Sequence, residues 1–146
     1  MIKARDFFTK EQQNKIVAAV KEAEGNTSGE IRVFIEDTCK GDVLDRASFI
    51  FKELEMHKTA ARNGVLFYLS LSDRKFAILG DAGINIKVPK DFWEEIKFEM
   101  LRHFKAHDLV TGMSKGIIMA GEALKTHFPH QEDDVNELPD EIVFGK

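Results

Sequence analysis

Cysteine is nearly absent from this chain. The lone Cys39 excludes an internal disulfide and any zinc site built from several cysteines, a usage that suits a reducing compartment. No apolar run approaches the roughly 18 residues of a membrane span, so membrane insertion is not expected. The opening Met1-Ile2-Lys3-Ala4-Arg5-Asp6 lacks the apolar core of a signal peptide, which makes a cytoplasmic location the expectation. Basic excess is missing too. The net charge is −4, and from Pro129 onward the acids Glu132, Asp133, Asp134, Glu137, Asp140 and Glu141 stand against Lys146 alone, leaving the body close to neutral. A nucleic-acid partner is therefore not expected. No Lys-Ser or Lys-Thr follows the glycines of residues 80–83, and the Asp-x-Asp-x-Thr pattern of aspartyl-phosphate enzymes is missing around Asp37. Both absences disfavour the phosphoryl-transfer routes that depend on those motifs.

What is present is an ordinary globular composition: 146 residues, 43% hydrophobic and 32% charged. Such a length suits one domain that buries about two thirds of its unfolded surface. Its organising stretch is residues 62–85. Arg62-Asn63-Gly64 opens the continuous apolar run 65–71, which reads as a strand covered on both faces. A polar step at Ser72-Asp73-Arg74 is too short for a helix, so the run 75–79 is expected to return antiparallel as a hairpin. The ends of the stretch, Asn63-Gly64 and Gly80-Asp81, then meet at one edge of a sheet.

Around it the chain alternates helix and strand. Thr9 and Gln12 have capping-box spacing, and Ile16, Val17, Val20 and Ala23 share a face up to Glu24-Gly25. After the turn 26–29, Glu30 opens a strand in which Ile31, Val33 and Ile35 alternate with Arg32, Phe34 and Glu36. Asp42 caps a second helix expected to reach about Met56, which makes the link to the central strand a parallel crossover. Pro89 suits the first turn of a helix carrying Trp93, Ile96, Met100 and Phe104. Asp108 or Thr111 begins the last one, with Met113, Ile117, Ala120, Leu124 and Phe128 in register. Its Gly112, Gly116 and Gly121 point to close backbone approach, or, for Gly112, to a break. The expected fold is an α/β three-layer α/β/α sandwich with a small mixed central sheet over residues 1–128. Residues 129–146 form an acidic tail that either docks through Leu138 and residues 142–144 or floats.

Two sheet edges then gather polar residues. Glu30, Asn63, Gly80, Asp81 and Asn85 fall at one, where oxygen donors and glycine carbonyls would suit Ca²⁺ or Mg²⁺. The bland alternative is that residues 80–83 only turn the chain and Glu30 pairs with Arg62. Glu36, Asp37 and Asp73 fall at the opposite edge, beyond the carboxyl ends of the parallel strands, where α/β folds usually bind ligands. Solvated strand ends are the plainer reading of those three. Glu99, His103 and His107 share helical spacing that could suit zinc, but the stripe lies off the apolar face and lacks a fourth ligand. Cys39, with no histidine near in sequence, reads as a structural thiol.

Gly29-Glu30-Ile31-Arg32-Val33, Arg62-Asn63-Gly64-Val65-Leu66, residues 76–84, Phe92-Trp93 and His127-Phe128-Pro129 together resemble a TPM domain, a family named for thylakoid lumenal, photosystem II repair and acetylcholine-receptor-modulating proteins. Asn136-Glu137-Leu138-Pro139-Asp140 resembles the ending of a soluble stand-alone bacterial subgroup. The resemblance implies an α/β/α sandwich, divalent cation binding at an acidic loop region and an acid-phosphatase-type activity. It places the metal at the Asn63/Asp81 edge, where residues 80–83 match the family's Gly-x-Gly loop with one extra residue. Two functions follow as expectations. One is a metal-binding phosphohydrolase acting on phosphate esters or nucleotides; the other is a non-enzymatic, metal-responsive interaction or assembly-assisting module with an unspecified protein partner.

Overall fold

The computed structural model describes residues 3–131 and 137–145. The acids Glu132, Asp133 and Asp134, together with Asn136 and Lys146, lie outside the described residues. Helix α1, Ala4–Phe7, precedes α2, Lys10–Glu24, whose capping box forms as the spacing predicts: Gln12 N–H donates to Thr9 Oγ1 and Thr9 N–H to Gln12 Oε1. Strand β1 is Glu30–Glu36, and α3, Val43–Glu53, starts at Asp42, whose Oδ1 accepts from Leu44 and Asp45 N–H. Helix α3 stops three residues short of the expected Met56, because Glu55 turns left-handed (φ 57°) and a 3₁₀ turn, Met56–Lys58, takes over.

Strands β2, Gly64–Ser70, and β3, Lys75–Gly80, form the expected hairpin, with Val65 opposite Gly80 and Ser70 opposite Lys75. β1 and β2 run parallel, with Glu30 opposite Gly64 and Glu36 opposite Ser70. The short β4, Val143–Phe144, lies parallel on the free side of β1, giving a four-stranded mixed sheet of order β3-β2-β1-β4.

The loop expected across residues 80–85 is instead the start of a helix. Asp81 accepts from Ala82 N–H and caps α4, Ala82–Lys87. Once the short polar side chain satisfies that N–H, Ile84 can turn inward into the core. Pro89 therefore belongs to the connection after α4, and α5, Glu94–Lys105, begins five residues later than proline placement suggested. Helix α6, Leu109–Leu124, starts behind Asp108 and runs unbroken through Gly112. Phe128 lies beyond its end. Close approach, not a break, accounts for the glycines: a Cβ on Gly112 would meet the Phe104 ring at 2.5 Å, and one on Gly121 would meet Ala23 Cα at 2.6 Å.

Alternation along β1 and β2 sorts the apolar side chains into two layers. Ile31, Val33, Ile35, Val65, Phe67 and Leu69 face α2, α5 and α6, and Phe34, Leu66 and Tyr68 face α3. Helices on both faces of the sheet make the three-layer α/β/α sandwich. From the C-terminal segment, Leu138 is buried on the α3 side and β4 completes the sheet. Among the described residues, no helix is long and apolar enough to cross a membrane.

Candidate functional site

The hairpin brings the Asn63/Asp81 edge together in its backbone. Asp81 N–H donates to Gly64 O at 2.9 Å and Glu30 N–H to Asn63 O at 3.2 Å. The side chains, however, turn to separate partners. Arg62 clasps Asp81 through two parallel bonds of 2.8 Å, so this carboxylate, only 6% exposed, is already neutralised and fully engaged. Asn63 donates its amide to Ser28 O and Asn85 donates to Gly80 O. Glu30 does not pair with Arg62 but accepts from Leu138 N–H at 2.6 Å. Gly83 is needed for closure, since a Cβ there would lie 2.3 Å from Ala61 O. A cation at this edge would have to displace a bidentate guanidinium, and the donor set does not fit one.

A second feature lies beneath this edge and was not read from the sequence. Glu24, on the last turn of α2, accepts from Ile31 N–H. Burial, reinforced by a hydrogen bond to Asp140, pushes its carboxyl up to about 9. Burial likewise pushes Glu30 up to about 7. The available signal was that Glu24 falls four residues after Val20, on the buried stripe of its helix. Both carboxyls gain protons on folding, so the stability they confer is full below the ordinary glutamate range and is lost as pH rises through 7 to 9. Glu24→Gln keeps the shape and removes the titration. Urea unfolding should find it more stable than wild type at pH 9 by about 1–3 kcal/mol, allowing for partial exposure to water, with little difference at pH 4. Equal stability differences at both pH values would show that Glu24 is not the titrating group.

The opposite edge, at the carboxyl ends of β1 and β2, is built differently. Glu36 is no solvated strand end. It is buried and accepts from Arg46 through two bonds of 2.9 Å and from the Tyr68 hydroxyl. Asp37 and Asp73 remain nearer to solvent. Asp37 Oδ1 accepts from Ala4 N–H, and Asp73 Oδ2 accepts from Cys39 N–H and from Ser70 Oγ at 3.3 Å. Backbone bonds from Leu71 N–H to Glu36 O and from Ser72 N–H to Asp37 O tie the hairpin turn to the end of β1, with Asp37 turned to α1 and Asp73 to the Cys39 side. Neither aspartate forms an ion pair among the described residues, and each keeps one carboxylate oxygen without a hydrogen bond from them. Two carboxylates completed by water suit a Mg²⁺-type ion, which retains much of its hydration. Among the described residues no group of three or more His, Cys, Asp or Glu side chains is gathered as a metal site, so any ion here is held largely by water and backbone oxygen.

Beside this edge opens a cleft of about 830 Å³, walled by the hairpin end, α1 and the corner between α5 and α6. Ser70 belongs to its lining, but in step with Leu66 and Tyr68 its hydroxyl turns to the α3 face, where it donates to Asp73. Arg74, Lys105 and His107 also line it. His107 lies in the left-handed turn after α5 (φ 62°), off the helix that was to align it with His103. Glu99 is occupied by Arg102 at 2.6 Å, His103 at 3.3 Å and Lys115 at 3.7 Å, and the Arg102 bond above all holds its carboxyl below the usual range. Cys39 is buried, as a structural thiol would be.

Comparison with known proteins places this architecture. Residues 1–123 match the family model described as the TPM domain. The NMR structure of the BA42 protein from the psychrophilic bacterium Bizionia argentinensis is similar at 45% identity and a TM-score of 0.91, covering 95% of this chain and 96% of that one. The N-terminal domain of a P. gingivalis protein aligns at 17% identity and a TM-score of 0.68, over 86% of this chain and 82% of that one. The N-terminal domain of the cg2496 protein from Corynebacterium glutamicum aligns at 10% and 0.65, over 94% of this chain and 80% of that one. These last two likenesses concern the fold alone. No curated protein matches the chain.

Proposed function

The chain belongs to the TPM domain family, and from that footing we propose that it is a divalent-cation-dependent phosphohydrolase whose site is the carboxyl edge of β1 and β2. The observation that carries this reading is that Asp37 and Asp73 stand at adjacent strand ends tied by the Leu71 and Ser72 backbone bonds, and that Arg74, the residue after Asp73, lines the neighbouring cleft. Asp37 and Asp73 would hold Mg²⁺ or Ca²⁺. A bound ion of this kind neutralises phosphate oxygens and makes a coordinated water more acidic. Ser70 keeps Asp73 oriented, because its hydroxyl donates to the inner carboxylate oxygen and leaves the outer one free. Arg74 is placed to pair with a phosphate oxygen across the mouth of the cleft, and Lys105 adds positive charge from the α5 side. These groups attract and orient a phosphate ester, the part of phosphoryl transfer that proteins chiefly supply.

Release of phosphate from 4-nitrophenyl phosphate, followed with added Mg²⁺, with added Ca²⁺ and with chelator, tests the proposal. Turnover should fall at least about 10-fold on chelation and return when the ion is restored. Turnover indifferent to chelator would refute cation dependence. No turnover at all, together with saturable cation shifts at Asp37 and Asp73 in an amide NMR titration, would favour an ion-gated interaction module instead.

A further inference from the structure

We infer that the cleft beside Ser70 selects phosphate monoesters of apolar alcohols, aromatic or acyl-chain, over small polar phosphates and nucleotides. The head-group chemistry rests on the phosphohydrolase reading above; the selectivity rests on the cleft itself. Its walls are mostly hydrocarbon. Leu69, Leu71 and Phe76 come from the hairpin, Phe104 and Val110 from the α5–α6 corner. At the rim, Phe7 and Leu101 leave 46% and 41% of their surface open to water. A volume of about 830 Å³ accommodates an organic molecule of moderate size, far more than a phosphate group requires. Burying an apolar body there removes hydrocarbon from water on both partners, whereas a sugar or a nucleobase would lose hydration and find few polar groups in return.

The charged side chains of the lining come from the hairpin turn and the α5–α6 corner. Arg74 and Lys105 form no ion pair among the described residues, and both are exposed. Among the described residues the one acid lining the cleft, Asp108, is turned onto the first turn of α6, where its Oδ1 accepts from Thr111 N–H. Of the four non-glycine residues with positive φ among the described residues, two, Arg74 at 53° and His107 at 62°, line this cleft. The hairpin turn and the helix corner thus hold basic side chains on opposite walls. Arg74, which follows Asp73 in the hairpin turn, marks where the anionic end of a ligand approaches the carboxyl edge. Its apolar end would then lie against Phe104 and Val110.

The experiment is an amide ¹H–¹⁵N titration in chelator, where turnover is not expected, with 1-naphthyl phosphate, methyl phosphate, adenosine 5′-monophosphate and 1-naphthol as separate probes. Shifts should saturate with 1-naphthyl phosphate and cluster at residues 69–71 and 104–110, with an affinity at least about 10-fold above those for methyl phosphate and the nucleotide. Naphthol should bind the same amides more weakly. In the Arg74→Gln/Lys105→Gln double variant, 1-naphthyl phosphate should lose about 10-fold in affinity and naphthol should be unchanged, since only charge has been removed. Methyl phosphate or the nucleotide binding as tightly as 1-naphthyl phosphate would overturn the selectivity, as would shifts centred on Asn63 and Asp81. Selective binding combined with no cation-dependent hydrolysis would sink the phosphohydrolase reading but leave the cleft as an amphipathic-anion site. Hydrolysis without apolar preference would do the reverse.

Discussion

Asp73→Asn is expected to lower cation-dependent phosphate release at least about 100-fold while the protein stays folded, because a donor to the ion loses its charge. The fold is spared for a local reason. With its amide turned so that the single oxygen takes the place of Asp73 Oδ2, asparagine still accepts from Cys39 N–H and Ser70 Oγ, so the turn keeps its hydrogen bonds. Asp81→Asn should behave in the opposite way. It breaks a bidentate pair with Arg62 at a nearly buried position and weakens the cap on α4, so stability should fall by about 1–3 kcal/mol. Turnover per folded molecule should be unchanged. Chemical unfolding and initial rates, measured on both variants, separate the two sheet edges. Loss of turnover in Asp81→Asn with Asp73→Asn unaffected would move the site to the other edge.

Removing Glu36 should be strongly destabilising. Arg46 grips both of its carboxylate oxygens, and Tyr68, itself 1% exposed, donates its hydroxyl to one of them. Burial and the neighbouring carboxylate push the Tyr68 phenol well above its ordinary range, so it remains a donor throughout the working pH range. Glu36→Ala strands that hydroxyl in the α3-side core and deprives Arg46 of its partner. Because Arg46 can still reach water, the expected cost is about 2–4 kcal/mol in urea unfolding, short of a wholly buried pair. Tyr68→Phe removes one bond to a charged acceptor and should cost about 1.5–3 kcal/mol. The two losses should be strongly non-additive in the double variant. Additive losses would show that the Tyr68 hydroxyl and Glu36 do not stabilise each other.

Much of this architecture was legible in residue order because hydrophobic spacing and caps are local. Thr9 with Gln12, Asp42 before α3, and the apolar run 65–71 with its short polar step each report their own structure within a few residues. Helix α4 escaped notice since six residues are too few to show a period, and nothing in the sequence signalled that Asp81 caps it while pairing with Arg62. The choice between sheet edges was equally out of reach. Each edge holds one carboxylate with a guanidinium beside it, and Arg62 with Asp81 and Arg46 with Glu36 are pairings that only the folded chain brings about. The cleft was invisible for the same reason: its walls come from residues 7–12, 69–76 and 101–110, and no one of these segments is concave.

Strand β4 gives this protein an order of assembly. Its partner β1 is complete by residue 36, yet Val143 and Phe144 reach it from more than a hundred residues further along the chain. During synthesis the Phe34–Ile35 stretch of that side lacks its strand partner until residues 143–145 have left the ribosome. An open edge beside Phe34 and Ile35 is what a second nascent chain could extend into a shared sheet. The C-terminal segment thus acts as a late seal, turning a sticky intermediate into a finished particle.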